Sequence, residues 1–421
     1  MGTMSKTVSG LEIAKGALAY LPDVPRLLPG LLNLALLRPG ARRSLGLAFE
    51  QATLAHAQRP FLHDQDLVLT YQEANAKANQ MARGLLSIGV QAGDTVGILA
   101  RNRFEVLLAV IAVAKLGAVS ALLNTNQSGD VQSHSIGLVK PKVILACPVG
   151  LDLLQQLKTN QPKVLHGIEV MGFETESSHL WVSSFKPLWE HRSTLNLPQT
   201  SQIKAQDPCF YIFTSGTTGL PKASVMSHYR WLQAMNGLSS AVRLRETDVF
   251  YCCLPLYHNN ALTVSLGMVV ATGACFALDE KFSASRFWQR IRHYKATAFC
   301  YIGELLRYLN NQPPSHDDQN HEVRLIAGNG LRPEIWAEFE NRFGISQIFE
   351  FYGASESNLG FMNAFGLRET VGFCPMPYEI VECDPDTEQV VRNPKGFCKK
   401  VAVGEVGLLL SEVTTLRPFD R

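Results

Sequence analysis

The sequence predicts an α/β fold made of layered, largely parallel sheets. Three observations support that expectation. Apolar runs of strand length alternate with helix-length segments along most of the chain. The 421 residues are enough for two or three domains, or for one large multi-lobed domain. Hydrophobic residues make up 46% and charged residues 18%, which excludes a disordered chain and supplies a large core.

The N-terminal region opens on an ambiguity. Residues 27–37 are strongly apolar but hold Pro29 and Gly30 and fall short of the ~20 residues needed to span a bilayer. Lys15, Arg26, Arg38, Arg42 and Arg43 surround the run. Two readings stay open: a segment lying on an anionic membrane surface, or a partly buried helix whose cations face water. Glu12 and Lys15 interrupt the first apolar stretch, so it does not read as a signal peptide.

Thr70-Tyr71-Gln72-Glu73 is a capping box, and Ala74, Ala78, Met81 and Leu85 mark one face of the helix it starts. Gly89 is placed to end it. A βαβ unit follows, with strands at 95–100 and 118–123 around a helix at 104–116. Further strands are expected at 208–213, 248–254, 274–278, 296–301, 323–327 and 347–352, with helices at 285–293 and 333–342 among them. Residues 261–278 carry no charge, but Gly273 and the β-compatible residues after it indicate a buried helix, a glycine turn and a buried strand. Residues 156–206 are more polar and irregular, and are expected to connect lobes. From about residue 378 short strands and turns suggest a small β-rich lobe. The resulting division is an N-terminal segment with the two membrane-surface and buried-helix readings (1–45), an α/β region (46–377) and the β-rich lobe (378–421).

Lys and Arg number 39 against 37 Asp and Glu, a net charge of +2, so nothing in the total argues for nucleic acid. The nine cysteines include no CxxC pair, and most lie in apolar runs. They read as buried thiols of a reducing compartment, placing the chain in the cytoplasm or at the cytoplasmic face of a membrane.

The most informative segment is Tyr211-Ile212-Phe213-Thr214-Ser215-Gly216-Thr217-Thr218-Gly219-Leu220-Pro221-Lys222. A buried strand runs into a loop of glycines and hydroxyl residues that ends in a lysine. Such a loop suits a polyphosphate: glycines let the backbone approach, amides and hydroxyls donate to oxygens, and lysine adds a point charge. It is not a Walker A motif, because Pro221 precedes Lys222 and Ala223 follows it.

Residues 214–222 resemble the phosphate loop of the AMP-forming, adenylate-forming enzymes. Three further blocks are similar to the fatty acid transport protein and very-long-chain acyl-CoA synthetase branch: Tyr301-Ile302-Gly303-Glu304-Leu305-Leu306-Arg307-Tyr308-Leu309, residues 323–332, and Glu350-Phe351-Tyr352-Gly353-Ala354-Ser355-Glu356-Ser357-Asn358. Gly117-Ala118-Val119-Ser120-Ala121-Leu122-Leu123-Asn124-Thr125-Asn126 is another match. The resemblance runs from about residue 46 to the end. It implies the large N-terminal domain of the adenylate-forming fold, with two α/β sheet subdomains and a small β-rich lobe.

The resemblance also implies a reaction: ATP and a fatty acid give an acyl-adenylate, and coenzyme A then displaces AMP. An anionic carboxylate must approach an anionic phosphate, so donors and a metal must offset the repulsion. Thr214, Ser215, Gly216, Thr217, Thr218, Gly219 and Lys222 take the phosphate-loop positions. Gly328, Asn329 and Gly330 match the adenine-side loop, and Glu350, Phe351, Tyr352 and Gly353 continue that wall, with Tyr352 stacking on the base. The resemblance also implies that Ser355, where the branch usually has Thr, faces the α-phosphate and that Glu356 holds Mg²⁺. Tyr257 and His258 resemble the aromatic/His site beside the acyl carboxylate; a structural histidine is the competing reading. The stretch after Asn260 and the Tyr301 block read either as walls for an acyl chain or as ordinary core.

The family's later segments, a ribose-binding Asp and a small mobile domain with the adenylation lysine, have no counterpart before Arg421. The expectation is therefore a chain that binds ATP and fatty acid but turns over weakly or not at all. Other readings are a ligase for a different carboxylic acid, and a non-catalytic nucleotide or fatty-acid binding module in membrane uptake. The sequence leaves oligomeric state undetermined.

Overall fold

The structure, a computed structural model, describes residues 7–174, 179–214, 219–354, 358–387 and 389–415. Helices α1 (Gly10–Tyr20) and α2 (Val24–Leu36) precede α3 (Leu45–His56). The Thr70 capping box forms with both of its bonds and starts α4 (Tyr71–Ser87). Ala74, Ala78, Met81 and Leu85 are all fully buried, and Gly89 takes φ +82 just past the helix end. The βαβ unit appears as strand Thr95–Leu99, helix α5 (Phe104–Leu116) and strand Val119–Leu122.

Those strands sit at the centre of a seven-stranded sheet, in spatial order Ser183–Ser184, Glu169–Gly172, Val143–Ala146, Thr95–Leu99, Val119–Leu122, Pro208–Thr214 and Lys222–Ser227. All pairings are parallel except the last, a hairpin. Side chains alternate between two helical layers. Val96, Ile98, Val143 and Leu145 pack with α3, α4 and α5, while Leu99, Ile144 and Ala146 pack with α6 (Gly129–Val139) and α7 (Pro148–Asn160). Burial on both faces explains why these strands read as unbroken apolar runs.

Residues 156–206 are more than a connection between lobes. Glu169–Gly172 and Ser183–Ser184 extend the seven-stranded sheet, and the short helix α8 (Lys186–Trp189) buries Trp189. The strands are short and flanked by polar residues, so no apolar run marks them.

The second sheet has eight strands, in order Gly360–Met362, Gln347–Gly353, Leu325–Asn329, Ala298–Ile302, Val249–Cys252, Cys275–Leu278, Pro60–Asp64 and Leu67–Thr70. Its inner pairings are parallel and its two outermost antiparallel. Helix α9 (His228–Val242) follows directly on the last strand of the hairpin, Lys222–Ser227. A π-helix at Asn260–Ser265 leads into α10 (Leu266–Thr272), Gly273 turns at φ +76, and strand Cys275–Leu278 follows as expected. Among the described residues, no helix is long and apolar enough to cross a membrane. Beyond these sheets, Tyr378–Val381 pairs antiparallel with Leu408–Ser411.

The helical layer carries an internal charge. Lys115, on the buried helix α5, has 0% exposure and places Nζ 2.7 Å from Glu50 Oε1, Asn75 Oδ1 and Asn79 Oδ1. These partners come from α3 and α4, so one ammonium ties three helices together. Burial pulls the Lys115 pKa down to about 8, against the opposing pull of Glu50. The backbones are close enough that a Cβ on Gly46 would meet Lys115 Cα at 2.9 Å. Replacing Lys115 with Ala leaves Glu50 and both amides without their donor. It should cost about 3–5 kcal/mol in urea unfolding, and a loss below about 1 kcal/mol would refute this role.

Candidate active site

The residues expected on the adenine side lie at and just past the carboxyl ends of two parallel strands of the eight-stranded sheet, where open α/β sheets form their binding crevice. Leu325–Asn329 and Gln347–Gly353 are neighbours in register, with Gly328 opposite Glu350. The two blocks, about twenty residues apart in sequence, therefore form one wall. Their approach depends on glycine. A Cβ on Gly328 would lie 2.2 Å from the Tyr301 carbonyl oxygen, and one on Gly303 would lie 1.7 Å from that of Gly330. Gly330 itself holds φ +82, which disfavours any other residue.

Along this wall, Phe351, Tyr352 and Gly353 line a cavity of about 780 Å³, with Tyr352 47% exposed. Glu350 points the other way. It is buried, and its Oε1 accepts from the Leu331 amide, so it braces the loop after Gly330 rather than lining the cavity. Burial pushes its carboxyl up to about 7, although the Leu331 and Gly330 amides and Tyr301 favour the anion.

The Asn260 side chain brings a second segment to the wall. Its Nδ2 donates to Asn329 Oδ1 at 2.7 Å, joining the π-helix to the glycine loop. The Leu254–His258 turn is held by Asn102, a buried side chain that sequence reasoning did not single out. Asn102 Nδ2 donates to the Leu254 and Asp279 carbonyls at 2.9 and 3.0 Å, and Oδ1 accepts from the Leu256 amide at 2.8 Å. Its only sequence signal is its place in the turn after the first strand of the βαβ unit. Tyr257 receives a bond from Asn126 Nδ2 at 2.9 Å, and its ring lies 4.7 Å from that of His258. Partial desolvation lowers the His258 pKa below the usual imidazole value, favouring a neutral ring.

The phosphate-loop segment closes the hairpin of the seven-stranded sheet. Thr214 pairs with Lys222 at its neck, Gly219 takes φ +83, and the Lys222 side chain is exposed. His134 Nε2 meets the Pro221 carbonyl at 3.0 Å and braces the base of the loop. Ser215, Gly216, Thr217 and Thr218 lie outside the described residues, as do Ser355 and Glu356. Among the described residues, no three His, Cys, Asp or Glu side chains are grouped to hold a metal ion.

The structure separates the two readings, wall or core, that the sequence left open for the remaining segments. Thr263 and Val264 do line it, but Tyr301 is fully buried, and Leu305, Leu306 and Leu309 of the same block point into the core. Alternation along the strand and the apolar face of the following helix turn that block inward. The missing wall comes from α9, where Arg230, Gln233, Ala234, Gly237 and Leu238 present one helical face. A Cβ on Gly237 would come within 3.1 Å of Met362 Cε, so its small size preserves the width there. Mostly apolar walls with a few convergent polar groups are the ordinary makeup of a small-molecule site.

The pattern of the AMP-binding enzyme family matches residues 49–410. The chain belongs to that family. It is 43% identical, over all of its own length, to the medium/long-chain-fatty-acid–CoA ligase FadD6 of Mycobacterium tuberculosis. It is 36% identical, over 91% of its length, to the long-chain fatty acid transport protein 2 of Rattus norvegicus. The chain spans 68% and 62% of those two proteins. Among solved structures it resembles the anthranilate CoA ligase AuaEII in complex with anthranoyl-AMP, with a TM-score of 0.75 at 23% identity over 90% of this chain and 71% of that one. The N-terminal domain of FACL13 from Mycobacterium tuberculosis gives 0.71 at 19% identity, over 85% of this chain and 86% of that one. At such identities these likenesses establish the adenylate-forming fold alone.

Glu350 makes this wall sensitive to pH. Its folded pKa of about 7 lies above the ordinary 4.5, so the folded state keeps a proton that the unfolded state releases. The associated stability is fully present below pH 4.5 and is lost as pH rises through 7. Comparing urea unfolding at pH 5 and pH 8, the parent should lose on the order of 3 kcal/mol more than Glu350→Gln. Equal losses would show that the carboxyl ionises freely in the fold.

Proposed function

We propose that the chain is the adenylating part of a fatty acid–CoA ligase acting on long- or very-long-chain acids, with ATP, Mg²⁺ and coenzyme A. The observation that carries this reading is the mostly apolar cavity of about 780 Å³ directly behind the wall of Tyr352, Gly353 and Asn260. Tyr352, Gly353 and Asn260 line the same cavity as the apolar residues of α9, an arrangement that suits adenylation of a lipid acid.

The roles of individual residues follow from their chemistry. The glycines at 328 and 330 let backbone groups approach adenine, and the exposed face of Tyr352 stacks on it. Thr214 to Gly219 donate to the polyphosphate, with Thr217 among the hydroxyl donors, and Lys222 supplies a charge that lowers the repulsion met by the carboxylate. Ser355 donates to the α-phosphate. Glu356 is the proposed Mg²⁺ ligand, and the metal would supply further charge neutralisation on phosphate oxygens. A neutral His258, kept beside Tyr257, orients the carboxylate, and the apolar walls keep water from the mixed anhydride.

The proposal includes contact with a lipid surface at the cytoplasmic face of a membrane, with a coupling to fatty acid uptake. Leu11, Leu18, Leu21, Leu28 and Leu32 are exposed on the N-terminal helices. No acidic residue occurs between Asp23 and Glu50, while Arg38, Arg42 and Arg43 are exposed. Leucines beside unopposed cations suit anionic headgroups.

The reading predicts palmitate-dependent exchange of pyrophosphate into ATP, reduced about a hundredfold or more by Lys222→Ala. Exchange with aromatic acids but none with long-chain acids would overturn the fatty-acid assignment.

A further inference from the structure

One wall of the acyl cavity is supplied by a segment outside the residues that match the family. Helix α2 lies across α9 and runs antiparallel to it. The Arg26 guanidinium donates to the Leu244 carbonyl, and a Cβ on Gly30 would meet Ser240 Oγ at 2.6 Å. At the other end, the Pro39 and Ala41 carbonyls accept from the Gln206 and Ala205 amides beside the start of α9. Just before α2, the Tyr20 hydroxyl donates to the Ser240 carbonyl at 2.7 Å, and its ring meets Phe365 edge-on at 5.8 Å. The helix is thus clamped at both ends and along its length.

Its two faces have different surroundings. Leu31, Leu34 and Ala35 recur at helical spacing and, with Arg38 just past the helix, line the cavity together with Gln233, Ala234 and Gly237 of α9. Leu36, 65% exposed, lies outside that lining. The nucleotide-side wall lies on the sheet, whereas α2 packs on α9. Asn260 and the inner face of α2 line the same cavity, so an acid whose carboxylate sits beside Asn260 has α2 as one wall for its chain.

We propose that α2 is the specificity wall of this cavity: Leu31, Leu34 and Ala35 set how long an acyl chain is accepted. The inference rests on the fatty-acid reading above. Its physical basis is burial of methylene groups. Each methylene added to the acid gains about 0.8 kcal/mol, roughly fourfold in affinity, while apolar space remains. Once the chain end meets α2, another methylene gains nothing or forces a clash. Plotted against chain length, affinity should rise and then break, and the break marks the distance to the wall.

The test is displacement of a fluorescent fatty acid from the purified 421-residue protein, across saturated acids from caprylic to arachidic. Leu34→Trp, which fills the inner face, should move the break to shorter acids and weaken the longest by about tenfold or more, leaving the shortest within about twofold. Leu34→Ala should move the break to longer acids. Leu36→Ala, outside the lining, should leave it unchanged. Thermal melting of each variant separates loss of fold from a shifted break, and the opposite directions of the two Leu34 variants cannot both arise from destabilisation. An unchanged break in both Leu34 variants, or a uniform loss at every length, overturns the proposal. If the parent binds no fatty acid of any length, the functional reading itself fails and this inference falls with it; binding without a movable break refutes the wall alone.

Discussion

The site depends on how closely two neighbouring strand ends can approach the chain beside them. At Gly328 and Gly303 any side chain would overlap a carbonyl oxygen, and at Gly330 the backbone takes a conformation that other residues resist. Because these three positions are glycine, strand Leu325–Asn329 can end in a loop that lies flat against Ala298–Ile302 and Gln347–Gly353. Tyr352 is then presented to the cavity, and Asn329 is brought within reach of Asn260. Glu350 fastens the arrangement from inside by accepting from the loop's amide. Without the close approach, Asn329 would not reach the segment that carries Asn260.

Around this wall the protein uses rigid helical layers to hold loops that must remain open to a ligand. Lys115 and its partners lock α3, α4 and α5 against one face of the seven-stranded sheet. Asn102, at the end of that sheet's central strand, reaches across and fixes the Leu254–His258 turn of the other sheet. Polar side chains act here as struts. Each is buried with its bonds satisfied, and each would be costly to leave half-paired. The cavity is left to weaker, non-directional contacts from α9, α2 and the sheet edge.

Much of the architecture was legible because local signals agreed with one another. The Thr70 capping box, the buried face at Ala74, Ala78, Met81 and Leu85, and the glycine turn at Gly273 each combine a start or stop signal with the right period. The buried parallel strands were visible as apolar runs for the same reason. Less legible were the short strands within residues 156–206, whose sheet partners lie elsewhere in the chain and whose flanks are polar. The Tyr301 block shows the opposite failure: apolar residues near the site are equally compatible with core and cavity, and composition does not say which way a strand faces.

The sequence by itself determined the fold class, the strand that runs into the loop at 214–222 and the residue blocks, 328–330 and 350–353, that form one wall of the cavity region. These depend on local chemistry: glycine where the backbone must approach, hydroxyls and a lysine for phosphate, and periodic burial for strands and helices. Only the tertiary structure decided that Glu350 turns away from the cavity, that Asn102 and Asn126 support the histidine turn, and that α2 lines the cavity. Those outcomes depend on which surfaces meet across separations of tens to hundreds of residues, and no local pattern encodes that.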